Sequence, residues 1–187
     1  MTGSPAWRAW TLVPVTLGCG VLCLRPLLER LGSDPNAILL TVFVALLAVG
    51  SCWPVPGTAA PTGGPRWRRR MLVLCVGILA FAAARLLGGA APESLNAQWV
   101  ALNSLAALAE EAFFRRVVYG WLRPGGPALA VAGSAVLFGL AHVTVYGWWV
   151  LPVDLAAGGV LAWQRWAGDS WLVSGLTHVI ANVLVVT

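Results

Sequence analysis

A bundle of helices embedded in a lipid bilayer is the fold class this sequence predicts, and three observations predict it. Of 187 residues, 59% are hydrophobic and only 10% charged, where a water-soluble domain carries roughly a quarter charged. Mean hydropathy is +0.80. Several apolar stretches come close to the roughly 20 residues that carry a helix across a hydrocarbon core. So few charges cannot solvate a globule of this size, whereas a surface facing lipid needs none. The chain reads as all-α, a polytopic transmembrane bundle of about seven spans forming one domain over residues 1–187.

Each span follows from an apolar run and its breakers. The first is Trp10–Leu28 and the second Ala37–Val55. A Pro/Gly/Thr-rich stretch, Pro56–Pro65, leads into Arg66, Arg68, Arg69 and Arg70, so residues 56–70 read as a basic loop. Span three is Met71–Ala91, span four Gln98–Leu122, span five Pro127–Val145, span six Gly147–Trp163, and span seven starts at Trp171. Ser94 and Asn96 look like a cap before span four. Pro124-Gly125-Gly126-Pro127 and Gly168-Asp169-Ser170 are turn signals, and connections this short make spans four to seven antiparallel neighbours. Eight of the 11 Trp residues (Trp53, Trp99, Trp121, Trp148, Trp149, Trp163, Trp166 and Trp171) fall near span ends, where an amphipathic indole settles at the lipid–water boundary. No internal repeat and no strand pattern is evident.

Charge sets the orientation and excludes one class of partner. All 12 basic residues are Arg, and the net charge is +5. The Arg66–Arg70 cluster stands directly before an apolar run, which marks a cytoplasmic loop under the positive-inside rule and not a nucleic-acid surface. The N-terminus is then cytoplasmic and the C-terminus on the far side. Arg8 precedes an apolar stretch with no small-x-small cleavage site after it, so the first helix reads as retained. Arginine in place of lysine, with abundant Ala, Gly, Leu and Val, suggests GC-rich codons and a bacterial inner membrane. Cys19, Cys23, Cys52 and Cys75 show no CxxC spacing and read as small buried hydrophobes.

An ionisable group at membrane depth costs several kcal/mol and marks function. Glu110 and Glu111 occupy the middle of span four, His142 span five, and His178 span seven with Asn182 one turn on. At 1.5 Å per residue these groups reach similar depths on three antiparallel helices. His178 and Asn182, at i and i+4, share a face that Ser174 extends, and Phe138 and His142 share another. Glu111 and Arg115 have the spacing of an intrahelical ion pair, while Glu110 lies on a neighbouring face in line with Asn103. Asp154 in span six fits no such pattern and reads as helix packing or support.

Three motifs run in order along these helices: Glu110-Glu111-Ala112-Phe113-Phe114-Arg115 as EExxxR, Phe138–His142 as FxxxH, and His178–Asn182 as HxxxN. In that order, on successive apolar helices, they resemble the CAAX-protease and bacteriocin-processing family, also called Abi or type II CAAX endopeptidase-like. The resemblance covers residues 98–187, the expected catalytic core. It implies an intramembrane endopeptidase acting on membrane-embedded peptides or C-terminal tails, with Glu111 and Arg115 orienting the site.

The chemistry fits independently, since peptide hydrolysis needs an activated water and a stabilised oxyanion. Glu110 is the candidate base, His142 helps to hold the water, and His178 and Asn182 face the oxyanion. Glu110, His142 and His178 could instead bind Zn²⁺ with an open fourth position. The metal-free reading is preferred because the sequence offers neither His a carboxylate partner. Two non-proteolytic alternatives are a bacteriocin-immunity or scaffold protein on the same bundle and a proton-coupled transporter. Retention of the full polar set argues against the first. The small size and missing inverted repeat argue against the second.

Overall fold

The computed structural model describes residues 5–55, 66–88 and 96–186, and among these no strand occurs. Helix α1 spans Pro5–Leu31, α2 Pro35–Cys52, α3 Arg66–Gly88 and α4 Ala97–Glu111. The α4 helix runs on as a π-helical segment, Ala112–Val118, then as the short α5, Tyr119–Leu122, and a 3₁₀ turn, Arg123–Gly125. After it come α6 Pro127–Tyr146, a 3₁₀ turn Trp148–Val150, α7 Leu151–Gly168 and α8 Trp171–Val186. By length and composition α1, α2, α3 and α6 can cross a membrane, and α8 is a shorter apolar helix. The large exposed side chains Leu17, Leu72 and Leu79 are 64–68% accessible, as lipid-facing residues should be.

Local chemistry explains most boundaries. Asp34 caps α2 by accepting from the Asn36 and Ala37 amides, and Asn96 caps α4 through the Gln98 and Trp99 amides, satisfying otherwise orphaned donors. Ser94 lies outside the described residues. Gly147, at φ 87°, ends α6 in a conformation that L side chains rarely adopt. Pro152 then sits in the first turn of α7.

Three expectations are corrected. The Arg66–Arg70 cluster is the first part of α3 and not loop, because arginine is a good helix former and hydropathy marks the edge of the apolar run, not of the helix. The remainder of the expected loop, 56–65, lies outside the described residues. Span four is not one continuous α-helix but is interrupted by the π segment. The cysteines are not buried: Cys23, Cys52 and Cys75 are exposed on the outer surface and Cys19 is half-buried.

The core gathers on the π segment. Phe113, Phe114, Val117 and Val118 are fully buried against Val15 and Leu22 of α1, Phe43 and Leu46 of α2, and Phe138 of α6. Gly50 lets α2 approach closely, since a Cβ there would stand 2.8–2.9 Å from the backbone of Ala112 and Phe113. On the other side α6 packs extensively on α7, and α8 lies against α3, α4 and α7. Gln164 pins three helices together, its Nε2 donating to Val73 O (2.8 Å) and Thr177 Oγ1 (2.9 Å).

Candidate active site

The two adjacent glutamates occupy different worlds. Glu111 is fully buried, and its carboxylate meets Arg115 and His178, with the Ser174 hydroxyl also beside it. Arg115 Nε donates to Oε2 at 3.2 Å, the ion pair that the i,i+4 spacing predicts. His178 Nδ1 lies 3.3 Å from Oε1. Arg115 is buried too, and Nη1 donates to Ser134 O (3.1 Å) and Oγ (2.7 Å). Its guanidinium stacks over the Phe138 ring, 4.9 Å from the centroid. A charge in such a place costs several kcal/mol unless it is paired and hydrogen-bonded, and this network supplies both.

The π segment sits at the end of this network, as such segments often do at functional sites. Side chains from other helices bond its carbonyls: Arg165 Nε donates to Arg115 O (3.0 Å), and Ser134 Oγ to Phe114 O (3.0 Å). Arg116 Nη1 reaches across to Gly50 O and Trp53 O, both at 2.7 Å.

Glu110, only 5% exposed, faces the other way. It lines a cavity of about 380 Å³ together with Phe138, His142, His178, Asn182, Asn103 and Asp154. Rotation of α4 and α6 thus brings the four expected polar groups to one place. The His142 Nε2–Glu110 Oε2 separation is 3.8 Å. That is too long for a direct hydrogen bond, and close to what one water bonded to each atom at about 2.8 Å would span. The other ring nitrogen, Nδ1, lies 2.9 Å from Phe138 O. A carbonyl can only accept, so Nδ1 carries the proton and Nε2 presents a lone pair toward Glu110 when the ring is neutral. The ring also stacks on Tyr146 and packs on Phe138, with centroids at 6.0 and 4.4 Å. Phe138 further meets His178 edge-on at 5.8 Å, so one ring wedges both histidines.

Asn182 Nδ2 donates to Asn103 O at 3.3 Å, which uses one of its two N–H groups and leaves the other for a cavity ligand. Two features escaped the sequence reading. His178 does have a carboxylate partner, Glu111, so the ground for preferring a metal-free site is corrected; a contact between residues 67 apart leaves no local signal. Asp154 lies in the cavity wall, with Oδ2 buried and lacking a hydrogen-bond partner among the described residues. Its signal was present as an acidic residue inside an apolar span.

Whether the set fits a metal can be asked of the donors. Among the described residues no three His, Cys, Asp or Glu side chains are grouped closely enough to hold an ion. The Glu111–His178 pair resembles the carboxylate support of metal-bound histidines, but Glu110, His142 and His178 as placed do not form a ligand cage. Phe81, Ala84, Val153 and Ala157 of the cavity wall also line an adjoining apolar groove of about 440 Å³ between α3 and α7.

Comparison with known proteins agrees with the motifs. The family model for type II CAAX prenyl endopeptidases, Rce1-like, matches residues 92–184. No curated protein and no solved structure matches the chain. Over residues 92–184, just under half of its length, the chain is similar to this family of membrane proteases.

Proposed function

We propose that the chain is an intramembrane endopeptidase of the glutamic type, cleaving membrane-anchored peptides or C-terminal tails with water activated by Glu110. The observation that carries this reading is the 3.8 Å approach of Glu110 Oε2 to His142 Nε2 inside a cavity that His178 and Asn182 also line. Water held between the two atoms gives its proton to Glu110 as its oxygen attacks the scissile carbonyl carbon. The oxyanion that forms is met by His178 and the free Asn182 N–H, a neutral donor already fixed through Asn103. Glu111 accepts from His178 Nδ1 and holds the ring in its doubly protonated form, so that Nε2–H can donate to the oxyanion while the buried carboxylate balances the ring's charge. Glu110 then returns the proton to the leaving amine as the C–N bond breaks. Asp154 stands in the wall as a further carboxylate within electrostatic reach of His142 and Glu110.

The lateral apolar groove suits substrates that reach the site from the bilayer, and lipid is the protein's other partner. No nucleic acid has a place in this scheme. The arginine distribution supports a cytoplasmic N-terminus, and residue usage supports a bacterial inner membrane. A scaffold or immunity protein would have no use for a cavity lined by Glu110, both histidines and Asn182.

Cleavage of an anchored reporter peptide in reconstituted vesicles tests the reading. Glu110→Gln should lose about 10²–10⁴-fold in rate, with an unchanged melting profile. Dialysis against a chelator should leave wild-type activity intact. Loss restored by Zn²⁺ would instead assign Glu110, His142 and His178 to a metal.

A further inference from the structure

We infer that the cavity opens on the non-cytoplasmic side of the membrane, so that the enzyme takes peptide segments exposed at the outer face. Two independent observations meet here: the end of the bundle at which the cavity lies, and the distribution of arginine between the ends.

Hydrogen bonds tie one end together. Trp7 Nε1 donates to Pro54 O, joining the start of α1 to the end of α2, and Arg116 bonds Gly50 O and Trp53 O there. Arg70, at the start of α3, donates to Gly168 O and Asp169 O at the end of α7. Arg165 on α7 closes the ring by bonding Arg115 O and Asp169. Eight of the 12 arginines stand at this end: Arg8, Arg66, Arg68, Arg69, Arg70, Arg116, Arg123 and Arg165. Arg115 is buried between the ends.

The opposite end gathers the last turns of α1, α3, α6 and α8 and the first turns of α2, α4 and α7. Arg85 Nε donates to Leu184 O there, and Asn182 to Asn103 O. This is the cavity end. Its wall includes Tyr146, the last residue of α6, and Asp154, in the first turn of α7. Only Arg25, Arg30 and Arg85 stand at this end, and they share it with Glu29, Asp34 and Asp154. Trp148 and Trp149, 72% and 74% exposed, mark its interface. Arginine counted near the ends of spans sets orientation, and acidic residues contribute little. Eight against three places the arginine-rich end in the cytoplasm and the cavity mouth outside. The cavity's substrates are then outward-facing juxtamembrane segments or tails, not chains anchored at the cytoplasmic surface.

The orientation stands on charge and geometry alone, while the substrate class rests on the protease reading. Single cysteines placed in a chain with Cys19, Cys23, Cys52 and Cys75 replaced by Ala separate the two. Ser33→Cys, in the exposed α1–α2 turn, and Tyr146→Cys, in the cavity wall, should react with an impermeant thiol reagent in intact spheroplasts of a bacterial host. Ala128→Cys, at the start of α6, should react only after permeabilisation. The reverse pattern, or equal reaction from both sides, overturns the inference. A phosphatase fused after Thr187 of the unaltered chain gives the same reading without the cysteine background: activity supports an outward cavity end, and inactivity contradicts it. For the substrate, a lipid-anchored peptide added to sealed vesicles should be cut in right-side-out preparations only. Cutting only in inverted ones refutes the outward site. No cutting in either, with outward labelling intact, sinks the protease reading and with it the substrate class.

Discussion

Glu110 and Glu111 are neighbours in sequence and opposites in environment. Successive residues on a helix point about 100° apart, and here that turn separates a buried ion-pair network from an open cavity. Glu111 has Arg115 and His178 within 3.3 Å and no exposure. Among the described residues Glu110 has one close polar neighbour, His142, at a distance that invites a third atom between them. The comparison teaches how one motif can supply both scaffold and reagent. A carboxylate with all its partners in protein holds geometry, and one left short of partners can bind and deprotonate water.

Changes at Arg115, Gly50 and Ser134, which hold the Glu111 side and the π segment in place and do not meet the reacting water, should therefore cost stability first, with folded survivors retaining chemistry. The largest effect belongs to Arg115→Met, which leaves Glu111 buried without its arginine, beside His178 and Ser174. It should destabilise by about 3–5 kcal/mol, measured as denaturant unfolding in detergent. Next is Gly50→Val, whose side chain would meet the backbone of the π segment at Ala112 and Phe113. Overpacking of that kind costs about 1–3 kcal/mol, and a shifted π segment should lower the melting temperature. Ser134→Ala is the mildest. It removes the hydroxyl that accepts from Arg115 and donates to Phe114 O, at about 0.5–1.5 kcal/mol, with the peptide-cleavage rate of the folded fraction unchanged. A rate loss in Ser134→Ala as large as that in Glu110→Gln would dissolve the distinction between the two sides.

Much of this site was legible before any coordinates. Regular helical spacing gave the Glu111–Arg115 pair, the shared face of His178 and Asn182, and the alignment of Glu110 with Asn103. What escaped depends on relations that spacing does not encode. The π segment has no hydropathy signature, because Ala112–Val118 is equally apolar in either winding apart from Arg115 and Arg116. The Glu111–His178 contact joins α4 to α8 and follows only from their packing. Asp154 was visible as an oddity, but its place in the cavity wall depends on how α7 begins after Gly147. The start of α3 was missed because the arginines that end the apolar run do not end the helix.

The central claim is that Glu110 and His142 act on one water. A double-mutant cycle on the peptide-cleavage rate, with Glu110→Gln, His142→Gln and both together, tests it most directly. Residues that work as a unit are non-additive. The account predicts that the double variant is no slower than the worse single one, both having lost the same activated water. Losses that multiply, or a Glu110→Gln protein that cleaves at the wild-type rate, would contradict it.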